Sequence, residues 1–435
     1  MAVAGLGIGL QPVRSPLTGR ISRPLTDSPV SSPDRDGCEF GRLCGTLLSS
    51  YSPSGRVIPQ KKAAEVSTDR FHRYPFYSPR FWHGMSPRAW WNLLRLGHFS
   101  VHPSRLSMAL AVTLATPVNA VLGWLQKAFW GRRLRQSSLH GPPIFIIGHW
   151  RSGTTLLHEL LVLDERLSSP STFQCFAPHH FLLSEWFFRK FFGWLLPNRR
   201  PMDNMAAGWD RPQEDEFALV NLGLPSPYRR IAFPNEPPPD MEYLDTESLP
   251  EAARDRWSDG LERFIKSVSY RTERPVVVKS PTHTGRVATL AKIFPGAKFI
   301  HITRDPRALF PSTVRLWHSL DQVQGLQVPS GEGVEPYVIR CLQVMYDAFH
   351  RQRESIAPGN LIDVRYEDLV SDPVGQIEQI YRNLRLGDFD HVRGTLQDWC
   401  DTSHREYQTN RHELPPDQES LIRENWSEYF DRYGY

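Results

Sequence analysis

From Pro142 onward, short apolar runs alternate with stretches of helical spacing. "PPIFIIG" (142–148) is rich in isoleucine and bounded by proline and glycine, as expected of a strand buried on both faces. Behind it, "TTLLHELLVLD" sets Leu156, Leu157, Leu160 and Leu161 on one side of a helix. "RPVVVKSP" predicts a second buried strand, "HTGRVATLAKIFPG" a helix stopped at Pro-Gly, and "AKFIHITRDP" a third strand. "NLIDVRYEDLVSDP" predicts a fourth strand and "VGQIEQIYRNLRLG" a helix closing on Gly387. This alternation predicts an α/β fold of three layers, a central parallel sheet covered by helices on both faces. Ligand sites in such sheets gather at the carboxyl ends of the strands.

The upstream chain has a different pattern. Residues 1–70 are rich in Pro, Ser, Gly and Arg without a sustained apolar period, and are expected to be a disordered extension. They lack a basic stretch followed by an apolar run and a small-residue cleavage site, so a secretory signal is not expected. Residues 71–141 are expected to be helical. Between Leu106 and Trp130 the only charge is Lys127, a length that could cross a bilayer. Pro117, Asn119 and the Gln126–Lys127 pair argue against a simple span. Arg105 on one side and Arg132, Arg133 and Arg135 on the other give no orientation signal. The favoured expectation is helices packed on the following domain or lying at a membrane surface, with a transmembrane anchor as the alternative. Residues 142–435 are then expected to form the main, α/β domain.

Composition adds bounds. Of 435 residues, 40% are hydrophobic and 23% charged, which suits a globular enzyme. A formal net charge of +4 is too weak a bias to imply nucleic acid, yet it allows a local pocket for a small anion. Cys38, Cys44, Cys175, Cys341 and Cys400 are scattered and odd in number, without CxxC spacing. Neither a disulfide framework nor a zinc site is suggested, and a reducing, cytoplasmic compartment is the expectation, with membrane association left open through residues 106–130.

The chemistry starts at Gly148-His149-Trp150-Arg151-Ser152-Gly153-Thr154-Thr155. This stretch keeps the G-x-x-x-x-G frame of a phosphate-binding loop, but Thr154 stands where the lysine of nucleotide triphosphatases would be. Glycines let backbone amides curl around an anion, and the helix that follows directs its positive end at it. The lysine serves the β- and γ-phosphates, so a ligand without a γ-phosphate would not need it, nor a magnesium ion bridging them.

Ile144–Thr155 resembles the 5′-phosphosulfate loop of sulfotransferases that use 3′-phosphoadenosine 5′-phosphosulfate (PAPS), where a Lys or Arg precedes Ser-Gly-Thr-Thr as Arg151 does here. The resemblance covers about residues 142–435 and points to the broad bacterial-type branch, related to tyrosyl-protein and carbohydrate sulfotransferases. It implies a P-loop-type fold, PAPS as co-substrate, no metal, and transfer of a sulfuryl group to a hydroxyl or amine. Gly148, Arg151, Ser152, Gly153, Thr154 and Thr155 would form the cofactor loop. In "FIHITRDPRALFPS", Arg304 at a strand end and Ser312 eight residues on match the pair that grips the 3′-phosphate in this family. "YQTNRHEL" resembles a C-terminal segment that folds over the nucleotide, which would make Asn410 and Arg411 lid contacts.

Sulfuryl transfer needs cations for the leaving oxygen and a base for the acceptor proton. Arg151 is the first cation. Lys279, closing the buried run "VVVK", is the second, matching a lysine that touches the leaving oxygen in the tyrosyl-protein branch. The base departs from the family pattern. Where some branches carry a glutamate about twenty residues past the loop, this chain reads "SSPSTFQCFAPHHF", with Thr172 and Gln174 but no carboxylate. Glu214 of "RPQEDEFAL" is the first candidate, ahead of Glu216 and of His179, His180 and His283; the acidic trio Glu214–Asp215–Glu216 could equally complement a helix dipole. His149 and Trp150 lie within the loop and could shape the acceptor entrance. The aromatic run at 173–194 suits either a greasy entrance for a small-molecule, glycan or lipid acceptor, or a packing face. Two other readings stay open: a P-loop nucleotide kinase or NTPase, and a non-catalytic nucleotide-binding scaffold.

Overall fold

The computed structural model describes residues 78–192, 208–402 and 414–435. The extension expected over 1–70 and the lid residues Asn410 and Arg411 lie outside the described residues.

All four strands read from the sequence form: β1 (Ile144–Ile147), β2 (Val277–Lys279), β3 (Lys298–Thr303) and β4 (Leu361–Arg365). They pair in parallel in the order β2-β1-β3-β4. Ile144 lies opposite both Val277 and Lys298, and Phe299 opposite Leu361. Successive side chains of a strand leave on opposite faces. Accordingly, Phe145 and Ile147 join one apolar core with Trp257, Leu261 and Phe264, while Ile144 and Ile146 join a second with Leu156, Leu160 and Ile380. A parallel sheet with a core on each face is the three-layer arrangement that continuous apolar strands require.

The helices follow in chain order. Upstream of the sheet are α1 (Pro87–Leu96), capped by Ser86, and the 31-residue α2 (Leu106–Gln136). After β1 come α3 (Thr154–Leu161), α4 (Thr172–Phe176), α5 (Phe181–Phe192), α6 (Asp215–Asn221) and α7 (Glu251–Thr272). The short α8 (Val287–Ile293) links β2 to β3, and α9 (Pro306–Gln324) and α10 (Val334–Gln352) lead to β4. The chain closes with α11 (Tyr366–Ser371), α12 (Pro373–Leu384), α13 (Asp390–Thr402), α14 (Pro416–Asn425) and α15 (Ser427–Tyr433).

Two boundaries differ from the sequence expectation. The helix expected over "HTGRVATLAKIFPG" opens as a 3-10 turn, Pro281–Arg286, before α8 begins. Gly285 in that turn lets the Leu244 carbonyl approach closely, because a Cβ there would sit 2.1 Å from its oxygen. The helix α12 ends at Leu384 on Arg385, held at φ 55°, rather than on Gly387. The left-handed cap falls on an arginine, and a glycine search alone misplaces it.

The helix α2 packs with its polar side inward. Its buried positions are Val112, Thr116, Asn119, Gln126 and Gly131. Asn119 Nδ2 donates to the carbonyls of His83 (2.6 Å) and Met85 (2.9 Å), and Gln126 Oε1 accepts the Leu182 amide at 2.8 Å. Outward lie Leu110, Leu114, Val121, Trp124 and Phe129. The aromatic run after residue 172 divides likewise: Phe173, Phe176 and Phe181 are buried, whereas Trp186, Phe187 and Phe191 are exposed.

Candidate active site

The loop between β1 and α3 is held open by its backbone. Gly148 (φ 145°) and Gly153 (φ 102°) take conformations that favour glycine, and Arg151 lies in the left-handed region at φ 67°. A Cβ on Gly148 would meet the Ile302 carbonyl oxygen at 2.4 Å, and one on Gly153 the Tyr366 ring at the same distance. The loop carbonyls are taken by neighbouring donors. Ser152 Oγ donates to the His149 oxygen (2.8 Å), Thr313 Oγ1 to the Trp150 oxygen (3.1 Å), and an Arg304 guanidinium nitrogen to the Arg151 oxygen (2.9 Å). The first amides of α3, from Thr154 and Thr155, have no partner within their own helix. Carbonyls tied outward and a helix N-terminus at the turn make a cradle for an oxyanion.

Arg304 and Ser312 both reach this loop. Arg304 ends the β3 run, is 8% exposed, and stacks its guanidinium over Tyr366 at 4.2 Å while bonding the Arg151 carbonyl. Arg151 Nε in turn donates to Ser312 Oγ at 2.9 Å, from the second turn of α9. The three residues expected to grip the two ends of one nucleotide therefore meet around one loop residue. Two arginines and a serine are thus gathered at the turn, side chains of the kind that pair with an anion.

Lys279 closes β2 almost fully buried, and its ammonium lies 2.6 Å from Glu214 Oε1 and 3.3 Å from Thr155 Oγ1. Glu214 is the N-cap of α6, and its other oxygen accepts the Tyr228 hydroxyl. Tyr228 OH accepts in turn from Trp150 Nε1 at 2.7 Å. The bonds form a circuit from Trp150 through Tyr228, Glu214 and Lys279 to Thr155, beginning and ending in the loop. Burial, followed by the neighbouring Glu214 charge, pushes the Tyr228 hydroxyl well above the ordinary tyrosine range, so it serves as a neutral donor. Nothing in the sequence sets Tyr228 apart; it follows Pro225-Ser226-Pro227 in a short 3-10 helix (Pro227–Ala232) and is marked only by the carboxylate it touches.

The other candidate bases are engaged elsewhere. Glu216 is fully buried, with Arg286 on both oxygens (2.7 and 3.1 Å) and further bonds from Thr282 and Ser226. Burial alone would raise its pKa, but the Arg286 charge overrides that and holds it down at about 2. His283 is buried against Asp215 at 2.8 Å and lies edge-on to Trp257. These two pairs brace α6 against the turn after β2, a structural role for two-thirds of the acidic trio. His179 bonds the Asn221 carbonyl, and His180 bonds Asn119 and Ser184. Thr172 and Gln174 bond the Arg211 carbonyl and Glu185. His149 is enclosed, with burial bringing its pKa down to about 3. It packs against Trp426 rather than lining an entrance, and the Trp150 ring is likewise buried, against Tyr228 and Trp317.

Comparison with known proteins completes the assignment. The sequence profile described as the Sulfotransferase family matches residues 142–391. The omega-hydroxy-beta-dihydromenaquinone-9 sulfotransferases Stf3 of Mycobacterium bovis and Mycobacterium tuberculosis are each 42% identical over 369 residues, covering 85% of this chain and 95% of theirs. The fold is similar to that of sulfotransferase STF9 from Mycobacterium avium, with TM-score 0.52 at 17% identity over 80% of this chain and 96% of that one. Sulfotransferase STF1 from Mycobacterium tuberculosis gives 0.50 at 16% identity, over 74% and 88%. These matches favour sulfuryl transfer over the kinase and scaffold readings. A phosphate-type loop without its lysine, an arginine–serine pair beside it and a family match over the whole sheet-forming region agree: the chain belongs to the sulfotransferase family and is a sulfuryl-transferring enzyme.

Proposed function

We propose that the Gly148–Thr155 loop holds the 5′-phosphosulfate of PAPS and that Arg304 and Ser312 hold its 3′-phosphate. The convergence of Arg304 and Ser312 on Arg151 carries this reading. A nucleotide with anions at both ends needs two cationic sites a short way apart, and the loop and the β3 end supply them. Loop amides and Arg151 would fix the phosphosulfate, and Lys279 would meet the charge that grows on the bridging oxygen.

Glu214 is the base in this scheme. An acceptor hydroxyl oxygen forms a bond to sulfur, the bridging S–O bond breaks with its electron pair left on the phosphate, and the acceptor proton goes to Glu214. Tyr228 is a positioning residue: it donates to one Glu214 oxygen and leaves the other toward Lys279. The scheme needs no metal.

The acceptor is proposed to be a lipid alcohol. The 42% identical relatives are named for a menaquinone-derived lipid, and an enzyme presenting Trp186, Phe187 and Phe191 outward suits such a partner. Cys175, Cys341 and Cys400 carry free thiols, in keeping with a reducing, cytoplasmic compartment. Isothermal calorimetry with 3′-phosphoadenosine 5′-phosphate against ADP, on wild type and Arg304→Ala, tests the nucleotide assignment. The expected result is a preference for the 3′-phosphorylated nucleotide that the substitution removes; equal binding of the two by wild type would refute it.

A further inference from the structure

We infer that the outward face of α2 rests in the interfacial layer of an anionic bilayer, with the helix axis along the membrane plane. Three observations carry this. The first is the inverted burial of α2. Its polar Thr116, Asn119 and Gln126 face the protein, whereas Leu110, Leu114, Trp124 and Phe129 are each 60–67% exposed. Only 17% of its most apolar stretch is buried, unlike a core helix. Large apolar side chains turned out of a protein along a whole helix mark a surface that meets something apolar.

The second observation is attachment along the length of the helix. Asn119 is tied to the His83 and Met85 carbonyls and Gln126 to the Leu182 amide, and Val112 is enclosed in the core. The helix also packs on α1, α5 and α7. One side of it cannot leave the protein, so it lies on a bilayer rather than crossing it.

The third is charge. Between residues 78 and 141 there are eight Lys or Arg residues and no Asp or Glu, in a chain whose formal net charge is only +4. Arg88, Arg95, Lys127, Arg132, Arg133 and Arg135 are exposed. Basic residues around exposed tryptophans match the headgroup layer of an anionic membrane. The same charges disfavour a second copy as the occupant, because a two-fold interface would set this basic segment against itself.

The test is co-sedimentation of the full chain with vesicles of phosphatidylcholine alone or mixed with phosphatidylglycerol. Wild type is expected to pellet with the mixed vesicles and to bind phosphatidylcholine at least roughly tenfold more weakly. Leu114→Glu with Trp124→Glu should lower binding about tenfold or more. Val328→Glu, at an exposed apolar residue elsewhere, should leave it unchanged. Quenching of tryptophan fluorescence by brominated lipids, compared between wild type and Trp124→Phe, reads the same face without adding charge. A wild type that stays in the supernatant with both vesicles overturns the inference, as does a double variant that pellets like wild type. So does sedimentation velocity showing a dimer that the double variant dissolves. Binding of 3′-phosphoadenosine 5′-phosphate is expected to be the same in all variants, which keeps this outcome separate from that of the nucleotide site.

Discussion

The Lys279 ammonium lies 2.6 Å from the Glu214 carboxylate, although 65 residues separate the two in sequence. The strand β2 delivers the lysine to the sheet edge, and the N-cap position of α6 delivers the glutamate to the same point. In the proposed scheme this sets a cation for the leaving oxygen and a base for the acceptor side by side next to Thr155. Glu214→Gln keeps the shape and removes the proton acceptor. It should lower kcat by about 10²–10⁴-fold while 3′-phosphoadenosine 5′-phosphate binds within about twofold of wild type. Full turnover by this variant in a labelled-PAPS assay would assign the base elsewhere.

Tyr228→Phe removes the hydroxyl that orients Glu214 and leaves Trp150 Nε1 without its partner. Losing one positioning hydrogen bond should cost about 1–2 kcal/mol of transition-state stabilisation, read as a fall in kcat with KM for PAPS little changed. A rise in KM alone would mean that Tyr228 contacts substrate directly.

Ser312→Ala and Arg304→Lys separate positioning from charge. The lysine keeps the charge but loses the forked geometry that lets arginine hold a phosphate by two bonds. Nucleotide affinity should fall about tenfold or more in Arg304→Lys and less in Ser312→Ala, with the loss concentrated on the 3′-phosphorylated ligand. Competition between 3′-phosphoadenosine 5′-phosphate and AMP measures it.

Gly153→Ala puts a methyl group 2.4 Å from the Tyr366 ring at φ 102°. The loop must shift or strain by about 1–3 kcal/mol, and nucleotide binding should weaken while the melting temperature falls only modestly. Unaltered binding would show that the curl of the loop is not the anion site.

Acid should destabilise the enzyme in two stages. Burial holds the His149 pKa near 3, well below its unfolded value, so its contribution is complete above about pH 6.5 and is lost as pH falls from there toward 3. Glu216 is held near 2 against an ordinary value of 4.5, so its contribution is complete above about pH 4.5 and is lost on descent toward 2. Glu216→Gln should cost about 3–5 kcal/mol at neutral pH, because Arg286 is left buried without its partner, and should flatten the lower stage. Denaturant unfolding across pH measures both; a Glu216→Gln curve parallel to wild type below pH 4.5 contradicts the ion-pair account.

The strands and the loop could be read from the sequence because their signals are local. The short apolar run between Pro143 and Gly148 suits a buried parallel strand, and Gly148 and Gly153 on either side of the turn mark the loop. The base could be narrowed but not fixed. Glu214, Asp215 and Glu216 are adjacent in sequence, and only their different partners, Lys279, His283 and Arg286, separate the carboxylate beside the loop from two buried braces. Tyr228 could not be read at all, since its meaning lies entirely in a long-range contact. For α2, length and apolarity were visible, but which side turned outward was not. Asn119 and Gln126 looked like flaws in a membrane span and are its fastenings to the protein.

The circuit from Trp150 to Thr155 starts and finishes within six residues of one turn. In the proposed scheme the separation between nucleotide and proton acceptor is set by Tyr228 and Lys279, which hold Glu214 from two sides and are themselves tied to the two ends of the loop. Substitutions on the exposed faces of α2 and α5 touch none of these contacts, so the surface offered to an acceptor and the geometry around Glu214 can be altered separately.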